Sequence, residues 1–253
     1  MRGAWFWVGF VALLPQALWV RKTTPRFSKA SGEPRGLVVG SPDDPHKAPI
    51  QLVGLGDSII AGVGAPTHAQ ALIAQVAHAL SQRLSRSVAW QADGKIGADA
   101  VAIADRASGV LAKRCPDVVI ISTGVNDLLG LVKIRDWRSR LEALIAVVQD
   151  AAPEAMIVLS GLPPMGCFPS LPRPLRWLLG ARARHLNEVL MATAASVERV
   201  EVVSIDADVA PEAFSGDGFH PGVVGYRQFG EKMALQVAAG LEAQRNADGV
   251  SAD

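Results

Sequence analysis

The sequence predicts a three-layer α/β/α domain built on a five-stranded parallel sheet, and three observations support this fold class. Short β-like apolar runs alternate with longer helical patterns from residue 50 to about residue 243. The run Val118–Ile121 is apolar at every position, as in strands buried on both faces of a parallel sheet. The segments between the runs are long enough for right-handed crossovers, and 253 residues suffice for a substantial core.

The predicted elements follow one another in regular order along the chain. The predicted strands are Ile50–Leu55, Ser87–Gln91, Asp117–Ser122, Ala155–Ser160 and Val200–Ile205. The predicted helices are Thr67–Leu84, Ala98–Lys113, Asp136–Ala151, Ala181–Val197 and, closing the domain, Val223–Ala243.

An uncharged, strongly apolar run, Gly3–Val20, precedes the domain. At about 1.5 Å per residue, a helix of this length just crosses a hydrocarbon core of about 30 Å. Trp residues toward both ends suit the two interfaces. We therefore expect residues 1–22 to be a transmembrane anchor, with the membrane as a partner through this segment. The alternative is a cleaved signal segment that leaves a secreted or periplasmic protein.

The side of the membrane on which the domain lies stays open. Basic residues after the apolar run favour the cytoplasm, whereas bacterial enzymes with one N-terminal anchor often face the envelope.

Residues 23–49 contain five prolines with Gly and Ser, which predicts an irregular linker. The domain itself is expected at 50–246, followed by a disordered tail at 247–253. Arg outnumbers Lys and Ala is abundant, which is associated with GC-rich bacterial genomes.

Charge and cysteine content exclude several classes of protein. A net charge of +1 without a basic stripe in the domain gives no electrostatic case for a nucleic-acid partner. Two cysteines make neither a disulfide framework nor a four-ligand zinc site. Cys115 precedes the third predicted strand and Cys167 follows the fourth, so they lie at opposite ends of the sheet. That places them roughly 15–20 Å apart, beyond the reach of a disulfide, and we expect free thiols.

Small or polar residues follow every predicted strand at its carboxyl end, which is the edge where α/β folds build their sites. Any one of these stretches is also compatible with an ordinary βα turn, for example with Ser58 as an N-cap. Their recurrence at one edge of the sheet is a stronger signal than any single motif. The stretches are Gly56-Asp57-Ser58, Asp93–Asp99, Thr123–Asp127, Gly161–Ser170 and Asp217–Pro221.

A serine hydroxyl becomes a nucleophile when a neighbouring base takes its proton. Ser58 lies where the first predicted strand turns toward a helix, and His220, between the last strand and the last helix, is the best candidate base. Asp217 precedes His220 by three residues, so its carboxylate can reach the imidazole within one tight turn and fix the tautomer. The alternative interpretation of His220 is a surface turn residue. We interpret the other histidines as surface or packing residues: His46, His68, His78 and His185.

Attack on an ester builds negative charge on the carbonyl oxygen, which needs preorganised hydrogen-bond donors. Three candidate donors follow the first three strands: the Ser58 N–H, the Gly97 N–H and the Asn126 side-chain amide. Gly94 is a rival for the role of Gly97. The alternative interpretations are a simple turn glycine at Gly97 and an Asn/Asp turn or N-cap at Asn126.

Taken in order, these stretches resemble the SGNH hydrolases, the GDSL esterase/lipase superfamily. The family's first block, usually Gly-Asp-Ser-Leu, is present as Gly56–Ile59, and its second, a glycine after strand two, fits Gly97 best. Its third, Gly-x-Asn-Asp, is Gly124–Asp127, and its fifth, Asp-x-x-His, is Asp217–His220. The resemblance covers about residues 50–243 and is to a bacterial, membrane-anchored member, although many members lack an anchor.

The resemblance implies a flavodoxin-like sheet and a serine ester hydrolase of esterase, lipase or thioesterase type, acting on a small-molecule or lipid ester. It implies Ser58 as nucleophile, His220 as base and then acid, and Asp217 as the group that orients it. The Ser58 N–H, Gly97 N–H and Asn126 amide would form the oxyanion hole. No cofactor and no metal are implied, and Asp57 is interpreted as structural.

Two alternatives stay open for the function. One is an O-acetyl esterase acting on a cell-envelope polysaccharide. The other is a catalytically silent, membrane-tethered binding module, which would be expected to have lost a member of the triad or of the oxyanion hole. The insert Gly161–Leu179 has three possible roles: to wall an acyl pocket, to dock on a membrane, or to cover the sheet. The sequence gives no indication of the oligomeric state.

Overall fold

The computed structural model describes residues 3–25, 27–41, 48–112, 114–205 and 209–250. Within these residues a six-stranded sheet forms the middle layer. Its strands are β1 (Arg35–Val38), β2 (Ile50–Gly56), β3 (Val88–Gly94), β4 (Val118–Ser122), β5 (Met156–Ser160) and β6 (Val200–Val203). The strand order is β1-β3-β2-β4-β5-β6, with β1 antiparallel to β3 and every other neighbouring pair parallel.

Helices cover both faces of the sheet. The α-helices in the described residues are α1 (Gly3–Ala12), α2 (Leu14–Thr23), α3 (Leu72–Leu84), α4 (Ala100–Leu111), α5 (Val125–Leu129), α6 (Ile134–Ala151), α7 (Leu175–Ala194) and α8 (Val223–Val250). Side chains of α3 and α8 share one hydrophobic core with the sheet, and side chains of α4, α6 and α7 share the other. The three-layer α/β/α architecture predicted from the sequence is therefore confirmed.

The central strands supply both cores because successive side chains point to opposite faces. In β4, Val118 and Ile120 face α3 and α8, whereas Val119 and Ile121 face α4 and α6. All four side chains are fully buried, which is why this strand is apolar at every position rather than at alternate ones.

The strand order brings three loops together. β2 lies between β3 and β4, and Gly56 at its carboxyl end is opposite Gly94 on one side and Ser122 on the other. The loops that follow these three parallel strands therefore start side by side at one edge of the sheet.

The sheet differs from the prediction by one strand. The predicted sheet had five parallel strands, but β1 adds a sixth and makes the sheet mixed. β1 lies in residues 23–49, where an irregular linker was predicted, and residues 42–47 of that segment lie outside the described part of the chain. A four-residue edge strand, nearly all of it exposed, carries no periodic pattern that sequence analysis can recognise.

The prediction of an N-terminal transmembrane anchor is wrong. The apolar run is divided at Leu13 into α1 and α2, each 10 residues long. Each helix is about 15 Å long, half of a hydrocarbon core of about 30 Å. No helix in the described part of the chain is both long and apolar enough to cross a membrane. A membrane-anchored location and a membrane partner through this segment are therefore not supported, and neither is the membrane-anchored part of the family resemblance.

The N-terminal helices instead pack against α7. Phe6 is 6% exposed, and the Arg182 guanidinium lies over its ring at 4.5 Å. Gln16 donates to the Arg173 carbonyl at 2.9 Å and accepts from the Leu175 N–H at 3.0 Å. Phe6 is thus buried against α7, whereas Val11, Leu18 and Trp19 of the same run are exposed. Secretion after cleavage and a bacterial origin stay predictions.

The C-terminal helix is longer than predicted. α8 runs to Val250, so residues 247–250 of the predicted disordered tail are helical, and residues 251–253 lie outside the described part of the chain. The domain boundaries themselves stay a prediction.

Candidate active site

Three polar side chains from two distant parts of the sequence form one hydrogen-bonded chain. His220 Nε2 lies 3.0 Å from Ser58 Oγ, and His220 Nδ1 lies 2.7 Å from Asp217 Oδ2. A carboxylate only accepts hydrogen bonds, so Nδ1 is the donor and Nε2 is left to accept from the serine. The predicted grouping of Ser58, His220 and Asp217 is thus present in the structure.

Asp217 is held by four donors. Its Oδ2 faces the imidazole, while its Oδ1 accepts from the N–H groups of Phe219 and His220 and from Ser215 Oγ at 2.8–2.9 Å. Burial by itself raises the pKa of this carboxyl group, but the hydrogen bonds from His220, Phe219 and Ser215 outweigh burial and lower the pKa to about 2. Asp217 is therefore ionised at neutral pH and its orientation is fixed.

The turn that carries Ser58 is stabilised by its neighbour. Asp57 Oδ1 accepts from the Ile59 N–H at 3.0 Å and from Ser122 Oγ at 3.1 Å. The Asp57 residue is 2% exposed, and this burial raises the pKa of its carboxyl group to about 6, although the hydrogen bonds from Ile59 and Ser122 oppose the shift. These contacts agree with the interpretation of Asp57 as a structural residue of the turn.

The two candidate glycines differ in their surroundings. A Cβ on Gly94 would lie 2.0 Å from the backbone nitrogen of Ala61, so Gly94 allows β3 to approach the turn that carries Ser58. Gly97 has φ +81°, and a Cβ at this residue would have no heavy atom of the described chain within 4 Å. Gly94 is packed against backbone, whereas the Cβ position of Gly97 is open.

The Asn126 side chain links the loops after β3 and β4. Its Nδ2 donates to the Ala98 carbonyl at 2.8 Å. An amide nitrogen carries two protons, so one stays available while the other fixes the plane of the group. Gly97 and Asn126 are therefore held together, beside the loop that carries Ser58.

A cavity of about 250 Å³ opens beside Ser58 and His220. Its walls are mainly apolar and come from the segments after β2 and β4, the insert after β5, the loop around Asp217 and α8. Its polar lining residues are Asp57, Ser58, Ser122, Thr123, Ser160, His220, Gln228 and Lys232. Gly97 and Asn126 do not line it. Apolar residues of its wall include Ile59, Val125, Pro163, Pro164, Phe168, Val209, Ala210, Phe214, Phe219 and Phe229.

Three aromatic rings connect the cavity wall to the histidine. Phe168 packs edge-on against Phe214 at 5.3 Å and against Phe219 at 5.0 Å, measured between ring centroids. Phe219 in turn packs against the His220 ring at 5.2 Å. The insert Gly161–Leu179 thus walls the cavity through Phe168, and it also covers the sheet through buried residues such as Met165.

Several residues of the site were not singled out from the sequence. Ser215, which binds Asp217, lies only two residues before it, and a hydroxyl at that spacing is a recognisable turn signal. Gly225, Gln228, Phe229 and Lys232 line the cavity from α8. Their spacing of three and four residues marks one helix face, but only the fold shows which partner that face meets.

The remaining histidines and the cysteines behave largely as predicted. His68 is 5% exposed and packs inside the domain, while His78 and His185 are exposed. His46 lies outside the described residues. Cys115 and Cys167 are not joined in a disulfide, which confirms that prediction.

The fold, the serine turn and the histidine loop together define an ester hydrolase of the SGNH class. The chain belongs to the GDSL-like Lipase/Acylhydrolase family, whose sequence model matches residues 55–228, more than half of the chain. It is therefore a carboxylic ester hydrolase. A comparison with curated protein sequences gave no match.

Solved structures share the fold at low identity. The lipase Lip_vut3 from a goat rumen metagenome is 20% identical, with 75% of this chain and 97% of that chain covered and a TM-score of 0.60. A family 3 carbohydrate esterase from Clostridium thermocellum is 18% identical, with 77% and 99% covered and a TM-score of 0.60. The psychrotrophic esterase EstA from a Pseudoalteromonas species is 17% identical, with 76% and 98% covered and a TM-score of 0.59.

Proposed function

We propose that this protein hydrolyses short- or medium-chain acyl esters or thioesters through an acyl-enzyme on Ser58. The observation that carries the proposal is the hydrogen-bonded chain Ser58–His220–Asp217 at an apolar cavity. A nucleophile, a base and an orienting carboxylate at hydrogen-bond distance are what acyl transfer by serine requires.

In the first half of the reaction, His220 Nε2 takes the proton of Ser58 Oγ as the oxygen attacks the ester carbonyl carbon. The resulting oxyanion is stabilised by the Ser58 N–H, the Gly97 N–H and the free proton of the Asn126 amide. Collapse of this intermediate breaks the bond to the leaving group, which takes the proton from His220 and departs as an alcohol or thiol.

In the second half, water attacks the acyl-enzyme and gives its proton to His220. The second oxyanion collapses, Ser58 Oγ leaves and regains its proton, and the carboxylic acid is released. Asp217 stays ionised throughout and stabilises the imidazolium that forms twice in each turnover.

The cavity supports an acyl chain as the group bound next to Ser58. Its volume of about 250 Å³ lies just below the range of about 300–1,000 Å³ that is usual for drug-sized ligands. Its predominantly aliphatic and phenylalanine lining matches hydrocarbon better than sugar hydroxyls. An acetyl group would leave most of the cavity empty, which disfavours the O-acetyl esterase alternative.

Hydrolysis of p-nitrophenyl esters from acetate to laurate by the purified full chain tests the proposal. We expect activity to rise from acetate to medium chains and fall toward laurate, and Ser58→Ala and His220→Ala to abolish it. Ser139→Ala and His78→Ala, on exposed helix surfaces, are the matched controls. A folded Ser58→Ala variant as active as the wild type would overturn the mechanism. Release of acetate from an acetylated polysaccharide without hydrolysis of longer esters would favour the alternative.

A further inference from the structure

Arg140 joins two loops of the site from outside it. It lies on α6, and its Nη1 donates to Asp127 Oδ1 at 2.9 Å and to Asp99 Oδ2 at 3.0 Å. Asp127, on the short helix α5, belongs to the loop region after β4, and Asp99, the N-cap of α4, belongs to the loop region after β3. One guanidinium nitrogen therefore bridges two loops that are connected to different strands.

Both carboxylates are also fixed to the start of α4. Asp127 Oδ2 accepts from the Ala100 N–H at 3.0 Å, and Asp99 Oδ1 accepts from the Ala102 N–H at 3.0 Å as the N-cap of the helix. The Asp127 side chain is fully buried. A buried carboxylate needs a charged partner, so Arg140 is the group that makes this arrangement stable.

The bridged loops carry two of the three proposed oxyanion donors. Gly97 lies two residues before Asp99, and Asn126 directly precedes Asp127. The Asn126 amide donates to the Ala98 carbonyl, so the Asn126–Ala98 contact and the Arg140 bridge tie the same two loops together. Donors of an oxyanion hole act through their fixed position, and errors of about 0.5 Å weaken them.

We propose that Arg140 is a positioning residue that sets the geometry of Gly97 and Asn126 in the oxyanion hole. The inference rests on the proposed function of these two residues. Arg140 does not line the cavity beside Ser58, so it has no substrate contact there. It acts by fixing the positions of the loops after β3 and β4 relative to each other.

Kinetics of the full-length Arg140→Gln variant test the inference. We expect kcat to fall roughly 10- to 100-fold with KM changed less than about threefold, because the loss falls on the transition state. Arg140→Lys keeps the charge and should recover part of the lost kcat. Arg138→Gln, an exposed arginine on the same helix, is the matched control and should keep wild-type kinetics.

A double-mutant cycle separates positioning from a general structural effect. In an Asn126→Ala background, Arg140→Gln should lower kcat by much less than in the wild type, because one of the positioned donors is already absent. If Arg140→Gln lowers kcat by the same factor in both backgrounds, the inference is overturned. If Arg140→Gln does not fold, Asp99→Asn replaces it, since asparagine still accepts from Ala102 but removes one charged partner of Arg140.

Amide hydrogen exchange gives a readout that does not depend on activity. In Arg140→Gln, exchange should accelerate at residues 95–100 and 123–128 and stay unchanged in α3 and α8. Unchanged exchange in both loops would overturn the positioning role even if the wild type proved inactive. A wild type without Ser58-dependent hydrolysis would overturn the proposed function instead, so the two failures are distinguishable.

Discussion

At the residue scale, the surroundings of Asp217 distinguish its two oxygens. Oδ1 accepts three hydrogen bonds from the turn, and Oδ2 alone faces His220 Nδ1. The side chain therefore has two separate tasks, to build the turn and to set the tautomer of the histidine. A substitution that preserves the turn contacts of Oδ1 and changes only the group facing His220 Nδ1 therefore tests the effect on the histidine tautomer.

Asp217→Asn should lower kcat by about 10³- to 10⁴-fold while the protein stays folded. The amide oxygen will take the place of Oδ1, because three donors converge there, and its NH₂ group will face Nδ1 of His220. Nδ1 must then accept, so the proton moves to Nε2, which can no longer take the proton of Ser58. Ester hydrolysis measured beside near-ultraviolet circular dichroism checks both parts. A folded variant with more than about a tenth of wild-type kcat would contradict this role.

Asp57 is predicted to make stability depend on pH in the opposite sense to most aspartates. Its pKa of about 6 in the folded protein lies above the usual 3.8, so the folded state binds the proton more tightly. The free energy of unfolding must therefore fall as pH rises from about 4 to about 6, by on the order of 3 kcal/mol from this residue. Asp57→Asn removes that contribution.

Urea unfolding of the wild type and Asp57→Asn at several values between pH 4 and pH 7 measures this contribution. Asparagine still accepts from Ile59 and Ser122, and any constant cost of the amide cancels when the pH dependence is compared. The asparagine variant should gain stability relative to the wild type across that range. If the free energies of unfolding of the two proteins differ by the same amount at every pH, Asp57 titrates normally.

At the scale of elements, the insert after β5 sets one wall of the cavity. Phe168 is 4% exposed and contacts both Phe214 and Phe219, so its ring limits the depth available to an acyl chain. Phe168→Leu should shift the preferred p-nitrophenyl ester by about two to four carbons toward longer chains, since a smaller side chain deepens the cavity.

The control for this shift is Trp177→Leu. Trp177 belongs to the same insert but is 60% exposed and does not line the cavity, so its replacement should leave chain-length preference unchanged. If Phe168→Leu lowers the rate on all esters equally, Phe168 supports His220 through Phe219 and does not limit chain length.

The helical elements also show where sequence patterns are ambiguous. Gly3–Val20 has the composition of a membrane span, yet it forms α1 and α2, with Phe6 and Gln16 bound to α7. A polar glutamine inside an apolar run was a weak signal against a span. The partners of Gln16 are Arg173 and Leu175, more than 150 residues away, and only the tertiary structure identifies them.

At the scale of the whole molecule, residues before β2 are part of the folded domain. β1 pairs with β3, and Ser31 binds the carbonyl of Pro66 through its N–H and its hydroxyl. A chain that begins at residue 48 should therefore unfold at a Tm several degrees lower than the full chain. It should also aggregate more readily, because β3 becomes an exposed edge. Differential scanning calorimetry and light scattering test this, and identical thermal transitions would show that the segment adds no stability.

Much of the candidate site could be predicted because its parts are local in sequence. Asp217 and His220 are three residues apart and share one tight turn, and Ser58 follows a strand that is visibly apolar. Ser58 and His220 are 162 residues apart, and their expected meeting rested on a general rule about the carboxyl ends of parallel strands. No such rule predicts the role of Arg140, because in the sequence a single arginine on an amphipathic helix cannot be distinguished from any solvent-exposed charge.

The sequence by itself determined the alternation of strands and helices, the burial of the central strands and the identity of the polar residues at the sheet edge. These follow from side-chain periodicity and from short turn motifs, which are properties of neighbouring residues. Only the tertiary structure decided that β1 joins the sheet, that the N-terminal helices pack on α7, that Phe168 walls the cavity and that Arg140 bridges two loops. Each of these depends on contacts between residues far apart in the chain, whose free energy is not encoded in any local pattern.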